Sequence, residues 1–363
     1  MKNLLNNFVF FLVFITIIHT AKAQIHDFDS LYKNDKNFKG SFKSSDESHD
    51  IFSSDEVMKI TIESDFKNLV KRKYKDEDQA AIFKYYYHDT IVVKRNISIK
   101  PRGNMRKGSC FFPPLKLNFK KSDLKVKEMK EFDKMKMVLD CKRGNIYEQY
   151  LVSEYYVYKI LNNLTDYSFR VRLIHVTYVD TGEKYKTATR YAFLIENKEQ
   201  MAARLKAIPI DNKNVRDKST DLPVLAIAYL FQYMIGNTDW SIPGRHNIQM
   251  IKSTDPTKLK PYVIPYDFDY AGIVNTNYAI PDPQLGISSV RDRVYRGVCL
   301  PDTYIKEGVR SFIEKKKEIY ELYENSVLLD KNNRRNSINY LDSFYAVIEN
   351  DNSLRRNIIE SCR

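Results

Sequence analysis

The chain has 363 residues, 43% of them hydrophobic and 13% aromatic, with 26 tyrosines. That apolar content excludes a wholly disordered chain and supports one large or two moderate packed domains. The formal charge of +13, or +11 without Lys2 and Lys22, favours acidic partners such as phosphates, nucleotides, acidic proteins or anionic lipid, whereas basic residues dispersed along the chain argue against nucleic-acid binding.

Lys2 precedes an apolar run from Phe8 to Ile18, and Ala21-Lys22-Ala23 supplies a small-residue cleavage site. Residues 1–23 therefore read as a secretory signal peptide. The run is too short for a membrane span, so the mature chain is expected to be exported, without a transmembrane span, to the periplasm, the cell surface or the medium. Residues 24–55 are polar and lack apolar periodicity, as in a flexible lead.

Order is expected from residue 56. VMKITIES alternates as a strand, Asp65 can cap a short helix FKNLVKRK, and AAIFKYYY, TIVVKRNISIKPRG, PPLKLNFKK and MKMVLDC continue as antiparallel strands. From Ile146 to Leu164 the period changes to that of an amphipathic helix. FRVRLIHVTYVD and ATRYAFLIE are strands again, and a helix follows from Asn197 to Lys206. Beyond Asp221, an N-cap followed closely by a proline, the texture turns helical. A long irregular stretch (274–301) precedes two charged helices, 304–328 and 333–349.

This order predicts an α+β, two-lobed domain over 56–355. A β-rich lobe would cover about 56–196 and a mainly helical lobe about 197–355. Cys110, Cys141, Cys299 and Cys362 permit two disulfides in an exported protein. Cys110 and Cys141 flank two expected strands and make the favoured pair. The absence of C-x-x-C and the six scattered histidines argue against a structural zinc site.

Polar residues crowd the edges of apolar segments between Tyr229 and Gly272. Asp239 ends an apolar helix in Gly-Asn-Thr-Asp-Trp, where a carboxylate can orient or deprotonate a hydroxyl. Asn247 opens the next strand. Asp267 and Asp269 follow Val-Ile-Pro-Tyr and, two residues apart on extended backbone, share a side. An amide and one or two carboxylates suit magnesium, which keeps sites for water and phosphate. Each residue alone reads as an ordinary capping or turn residue; together they follow the logic of phosphoryl-transfer loops. The cationic side would come from the β-rich half. Lys116 sits mid-strand in Pro-Leu-Lys-Leu-Asn-Phe, with Glu154, or Glu148, to hold it. Arg102 lies in the loop Pro101-Arg102-Gly103-Asn104, which can cover phosphates with backbone N–H groups. G-x-G-x-x-G, Walker A and G-x-S-x-G motifs are all absent.

Arg-Gly-Asn, then Pro-Leu-Lys-Leu-Asn-Phe, then Gly-Asn-Thr-Asp-Trp…His-Asn, then Ile-Pro-Tyr-Asp-Phe-Asp resembles the CotH kinases, atypical protein kinases named after a spore coat protein. The resemblance spans roughly Val57 to Gly272. It implies a two-lobed atypical protein-kinase-like fold that uses ATP with Mg2+ or Mn2+. Asp239 would be catalytic, Asn247 and Asp267 metal ligands with Asp269 secondary, and Lys116 the nucleotide-contacting lysine. Glu196 would fall where the segment joining the lobes meets the adenine. The chain departs from the pattern in the long spacing from Asp239 to Asn247 and in Met-Arg-Lys after the Arg-Gly-Asn loop.

The function so implied is an exported kinase transferring the γ-phosphate of ATP to Ser/Thr hydroxyls of an acceptor protein. ATP is scarce outside cells, so the alternative is a catalytically inactive kinase-like surface or coat protein that acts as a binding module. A hydrolase with paired carboxylates is a third reading.

Overall fold

The computed structural model describes residues 25–26, 51–87, 91–103, 105–119, 134–211 and 215–363. The expected signal peptide lies outside these residues, as does all of the expected lead except 25–26 and 51–55.

The N-terminal half is built from strands β1 (Ile25–His26), β2 (Met58–Ser64), β3 (Gln79–Tyr87), β4 (Ile91–Pro101), β5 (Leu115–Phe119), β6 (Lys134–Leu139), β7 (Val171–Asp180) and β8 (Ala188–Ile195). Helix α1 (Phe66–Lys71) follows β2, α2 (Met105–Ser109) follows β4, and α3 (Asn145–Leu164) follows β6. As the alternation implies, Asp65 caps α1, its Oδ1 accepting the Asn68 N–H at 2.8 Å.

The strand pairing overturns the two-lobed, kinase-like architecture. The sheet runs β4-β3-β2-β7-β8-β6-β5, and β5 pairs back onto β4, closing seven strands into a mixed barrel. The eleven residues of β4 make this possible. Its N-terminal part pairs with β3 through Ile91 and its C-terminal part with both β3 and β5, Ile99 facing Gln79 on one side and Leu117 on the other. Only β2 and β7 run parallel within the barrel. Closure removes the open edges that a single layer would leave. Met58, Ile60, Phe83, Ile99, Leu117, Met137 and Leu194 fill the interior.

A second core begins on the barrel's outer wall. Val138, Val171, Leu173, Phe193 and Ile195 face α3, and the same apolar cluster continues into the C-terminal half. Helix and barrel thus share one wall. The C-terminal half contains α4 (Lys198–Arg204), β9 (Ala207–Ile210), α5 (Leu222–Ile235), β10 (Ile248–Ser253) and β11 (Tyr262–Pro265). Strands β9, β10 and β11 form a small antiparallel sheet centred on β10. Helices α6 (Asp302–Glu314), α7 (Lys316–Glu324), α8 (Lys331–Ile348) and α9 (Asp351–Leu354) close the chain, so nine α-helices are present among the described residues.

Helix α5 is apolar on nearly every face because it is buried between α8, α6 and β11. Asp221 caps it by accepting the Val224 N–H at 3.2 Å. Asp221→Ala is expected to cost about 1 kcal/mol, read as a lower midpoint in urea denaturation. At the other end Gly236 takes a left-handed φ of 64° with the Tyr340 hydroxyl close by, which stops the helix and releases the loop carrying Asp239.

Cys110 and Cys141 are joined, as are Cys299 and Cys362. Two disulfides are compatible with an oxidising compartment. No described helix is long and apolar enough to cross a membrane.

Candidate functional site

Two turns meet at the end of α5. The backbone N–H groups of Gly272 and Ile273 donate to Gly236 O and Ile235 O, each at 3.1 Å, which seats the acidic turn after β11 against the loop after α5. Within that loop the Asp239 N–H donates to Asn237 Oδ1 at 3.0 Å. The Asp239 carboxylate lies 2.7 Å from His246 Nε2 and accepts Asn247 Nδ2 at 3.0 Å. Asn247 Nδ2 also donates to the Asp239 carbonyl at 2.8 Å. Asp239 is therefore oriented from two sides while its side chain remains 39% exposed.

Asn247 continues into β10, and its carbonyl accepts the Tyr266 N–H at 3.0 Å. That ladder contact places Asn247 beside Asp267. Both adopt left-handed backbone, with φ of 51° and 66°, a conformation that Asn and Asp tolerate better than most residues. Helix α3 reaches the turn from the opposite side, and the Asp267 N–H donates to the Tyr158 hydroxyl at 2.9 Å. Tyr158 is fully buried and its ring packs 4.6 Å from Phe268.

One turn earlier on the same helix face, Glu154 meets Arg106 of α2, Oε2 to Nη1 at 3.7 Å. Arg106 Nε lies 3.5 Å from Asp269 Oδ2, which also accepts the Tyr278 hydroxyl at 3.1 Å. Arg106 thus stands between two carboxyl groups. Burial raises the pKa of both acids, most strongly that of Glu154, and Arg106 only partly reverses this. For Arg106 itself burial disfavours the charge, but Asp269, Glu154, Tyr278 and Asp267 outweigh it and hold the guanidinium protonated. Arg106 is the single cation between them, so burial still holds both carboxyls above the usual carboxylate range. Glu154 Oε2 and Arg106 Nε are buried without a hydrogen-bond partner among the described residues.

Arg102, Gly103, Arg106, Lys136, Glu154, Tyr158 and Asp267 line one cavity of about 430 Å³, part of it open to solvent. Lys136 projects from β6 over the Tyr266 ring at 5.0 Å. Burial, followed by the nearby Arg102, pulls its pKa down to about 8, with Asp267 working the other way. An unfolded lysine titrates near 10.4. Between pH 8 and 10 the unfolded chain therefore holds the extra proton, and stability rises with pH in that window. Lys136→Met removes the buried charge and is expected to stabilise the protein by about 1–2 kcal/mol at pH 7. The gain should fade toward pH 10, as urea denaturation at the two pH values would show.

Among the residues singled out from sequence, Asp239, Asn247, Asp267, Asp269, Glu154 and Arg102 converge. Others are placed differently. Glu154 faces Arg106 instead of a lysine. Lys116 is exposed on β5 and does not line the cavity. It stands abreast of Lys100 on β4 and Lys136 on β6, and Lys136 is the lysine that reaches the cavity. Glu196 is fully buried, its carboxylate accepting Arg170 at 2.9 Å and Arg204 at 3.0 Å, so its side chain ties β8 to α4 and is not offered to a ligand. The N–H of Arg102 is already donated to Pro114 O at 2.8 Å, and Asn104 lies outside the described residues.

Among those residues no group of three His, Cys, Asp or Glu side chains forms a metal cage. The fit to magnesium rests on a smaller donor set. Asn247 spends its amide N–H groups on Asp239, which frees Oδ1, and the Asp267 carboxylate accepts no hydrogen bond or ion pair among the described residues. One amide oxygen and one carboxylate match an ion that retains water and binds phosphate. Asp269 is committed to Arg106 and Tyr278.

No family model matches the chain, and no curated protein matches it.

Proposed function

We propose that the chain is an exported, metal-dependent phosphotransferase that moves the γ-phosphate of ATP to a Ser/Thr hydroxyl of an acceptor protein. The CotH-like motifs suggest the reaction, and it is proposed here for a closed-barrel fold. The observation that carries the reading is one cavity with Arg102, Arg106 and Lys136 on its barrel side and Asp267, next to Asn247, on the other. Arg102 and Lys136, which have no ion-pair partner among the described residues, face a metal-type carboxylate and fit a polyphosphate better than a neutral ligand.

Magnesium or manganese, held by Asn247 and Asp267, would neutralise charge on the phosphates. Lys136 and Arg102 bind phosphate oxygens from the opposite wall, while Arg106 holds Glu154 and Asp269 away from them. Asp239, oriented by Asn247 and His246, holds the acceptor hydroxyl and takes its proton. Tyr158 and Phe268 keep the turn that carries Asp267 from shifting.

The test is incubation of the disulfide-bonded protein with metal, γ-labelled ATP and casein as a generic acceptor, beside Asp239→Ala and Asp267→Asn. Label should pass to casein or to the protein itself and depend on both residues. Equal labelling in all three proteins would sink the reading.

A further inference from the structure

A second cavity, which shares no lining residue with the first, lies at the end of the barrel where β6 and β7 finish and β8 begins. It spans about 660 Å³ of space, part of it open solvent. Its walls are aromatic. The rings of Phe66, Phe112 and Tyr178 pack edge-to-face or tilted, with centroids 5.3–5.7 Å apart, and Phe111 meets Tyr185 at 6.0 Å. Phe111 is nevertheless 47% exposed, held at the rim because its N–H donates to Cys141 O at 3.1 Å beside the Cys110–Cys141 disulfide. The pocket is preformed, and it leaves apolar ring surface facing water.

Its charge is unbalanced. Asp180 is consumed by the fold, accepting backbone N–H groups of Phe66, Lys184 and Tyr185, each at 2.8 Å. Asp140 faces Arg190 at 3.8 Å. Lys142, Arg143 and Lys186 also line the pocket and have no ion-pair partner among the described residues. Arg143 leans toward the Phe111 ring at 5.9 Å. Aromatic walls with uncompensated cations at the rim recognise a molecule with a flat apolar body and an anionic group: rings stack and exclude water, and the cations hold the anion where it emerges.

We propose that this barrel-end pocket binds a small planar aromatic anion. The ligand's ring lies against Phe112, Tyr178 and Tyr185, and its carboxylate or sulfonate meets Arg143 and Lys186. The site is separate from the phosphotransferase reading and does not depend on it.

Titration of the disulfide-bonded protein with 2-naphthoate, followed by calorimetry, should show saturable binding to one site. The neutral 2-naphthalenemethanol should bind at least 10-fold more weakly. Arg143→Ala with Lys186→Ala alters two exposed side chains and should weaken naphthoate at least 10-fold while leaving the neutral probe unchanged. Phe111→Ala with Tyr185→Ala should weaken both probes. Absence of saturable naphthoate binding, equal affinity for the two probes, or unchanged affinity in the charge-deleted variant would overturn the proposal. No nucleotide enters the experiment, so its outcome is independent of phosphoryl transfer.

Discussion

Asp267→Asn is expected to lower phosphate transfer on the order of 10²-fold while leaving the free protein as stable as before. Asparagine is the informative replacement because φ is 66° at this position, and Asn accepts left-handed backbone where alanine would add strain. The backbone N–H that donates to Tyr158 is kept, and the lost carboxylate makes no hydrogen bond among the described residues. Its charge disfavours ionised Glu154 and Asp269 but favours charged Arg106 and Lys136, so its removal takes away repulsion and attraction together. The loss falls on the metal and nucleotide. Thermal melting with magnesium and ATP should show this directly. A ligand at 100 times its Kd stabilises by about 2.7 kcal/mol, and that increment should shrink in the variant. An unfolded variant, or one with full activity and an unchanged increment, would contradict the assignment.

Arg106→Ala should instead damage the fold, by roughly 3 kcal/mol at pH 7. The guanidinium is the cation beside both Glu154 and Asp269, whose side chains are only 2% and 11% exposed. Without it, any charge remaining on the pair is buried and uncompensated. The direction with pH follows from the proton balance. Carboxyls whose pKa is raised in the folded state hold protons that the unfolded chain releases above pH 4–5, so folding opposes their ionisation and stability falls as pH rises through that window. The defect in Arg106→Ala should therefore be largest near pH 8 and small near pH 5. Adding Glu154→Gln should recover part of it at neutral pH. Urea denaturation at both pH values measures each quantity. An equal loss at pH 5 and pH 8 would show that Arg106 acts through packing and not through charge.

These two residues differ in how readable they were. Asp267 is readable in company: alone, in Tyr-Asp-Phe-Asp after a short apolar strand, it reads as a turn residue, and only with Asp239 and Asn247 does it follow phosphoryl-transfer spacing. Arg106 carries no local signal. It sits in Met-Arg-Lys on a five-residue helix, and its importance comes from meeting Glu154 and Asp269, which are remote in sequence. Lys136 and Lys116 show the same limit more sharply. Both are polar positions in alternating strands, so periodicity ranks them equally. Strand register and the rings of Phe169 and Tyr266 make Lys136 the one that enters the cavity. Glu196, expected to end the strand, directly follows β8, and Arg170 and Arg204 claim its carboxylate.

By itself the sequence determined the local elements and the acidic half of the site. Period-two and period-3.6 patterns and caps such as Asp65 and Asp221 act over a few residues, where steric and hydrogen-bonding rules operate without the rest of the chain, and Asp239, Asn247 and Asp267 stand out by their places at the edges of apolar segments. Closure of the barrel was decided only in three dimensions. Alternation marks which side of a strand is apolar but not which neighbour it pairs with, and β4 could have ended the sheet. Because it bonds to both β3 and β5, the strands curl around one core. The outer wall of that barrel then brings Lys136 and Arg106 to the carboxylates of a half they never approach in sequence.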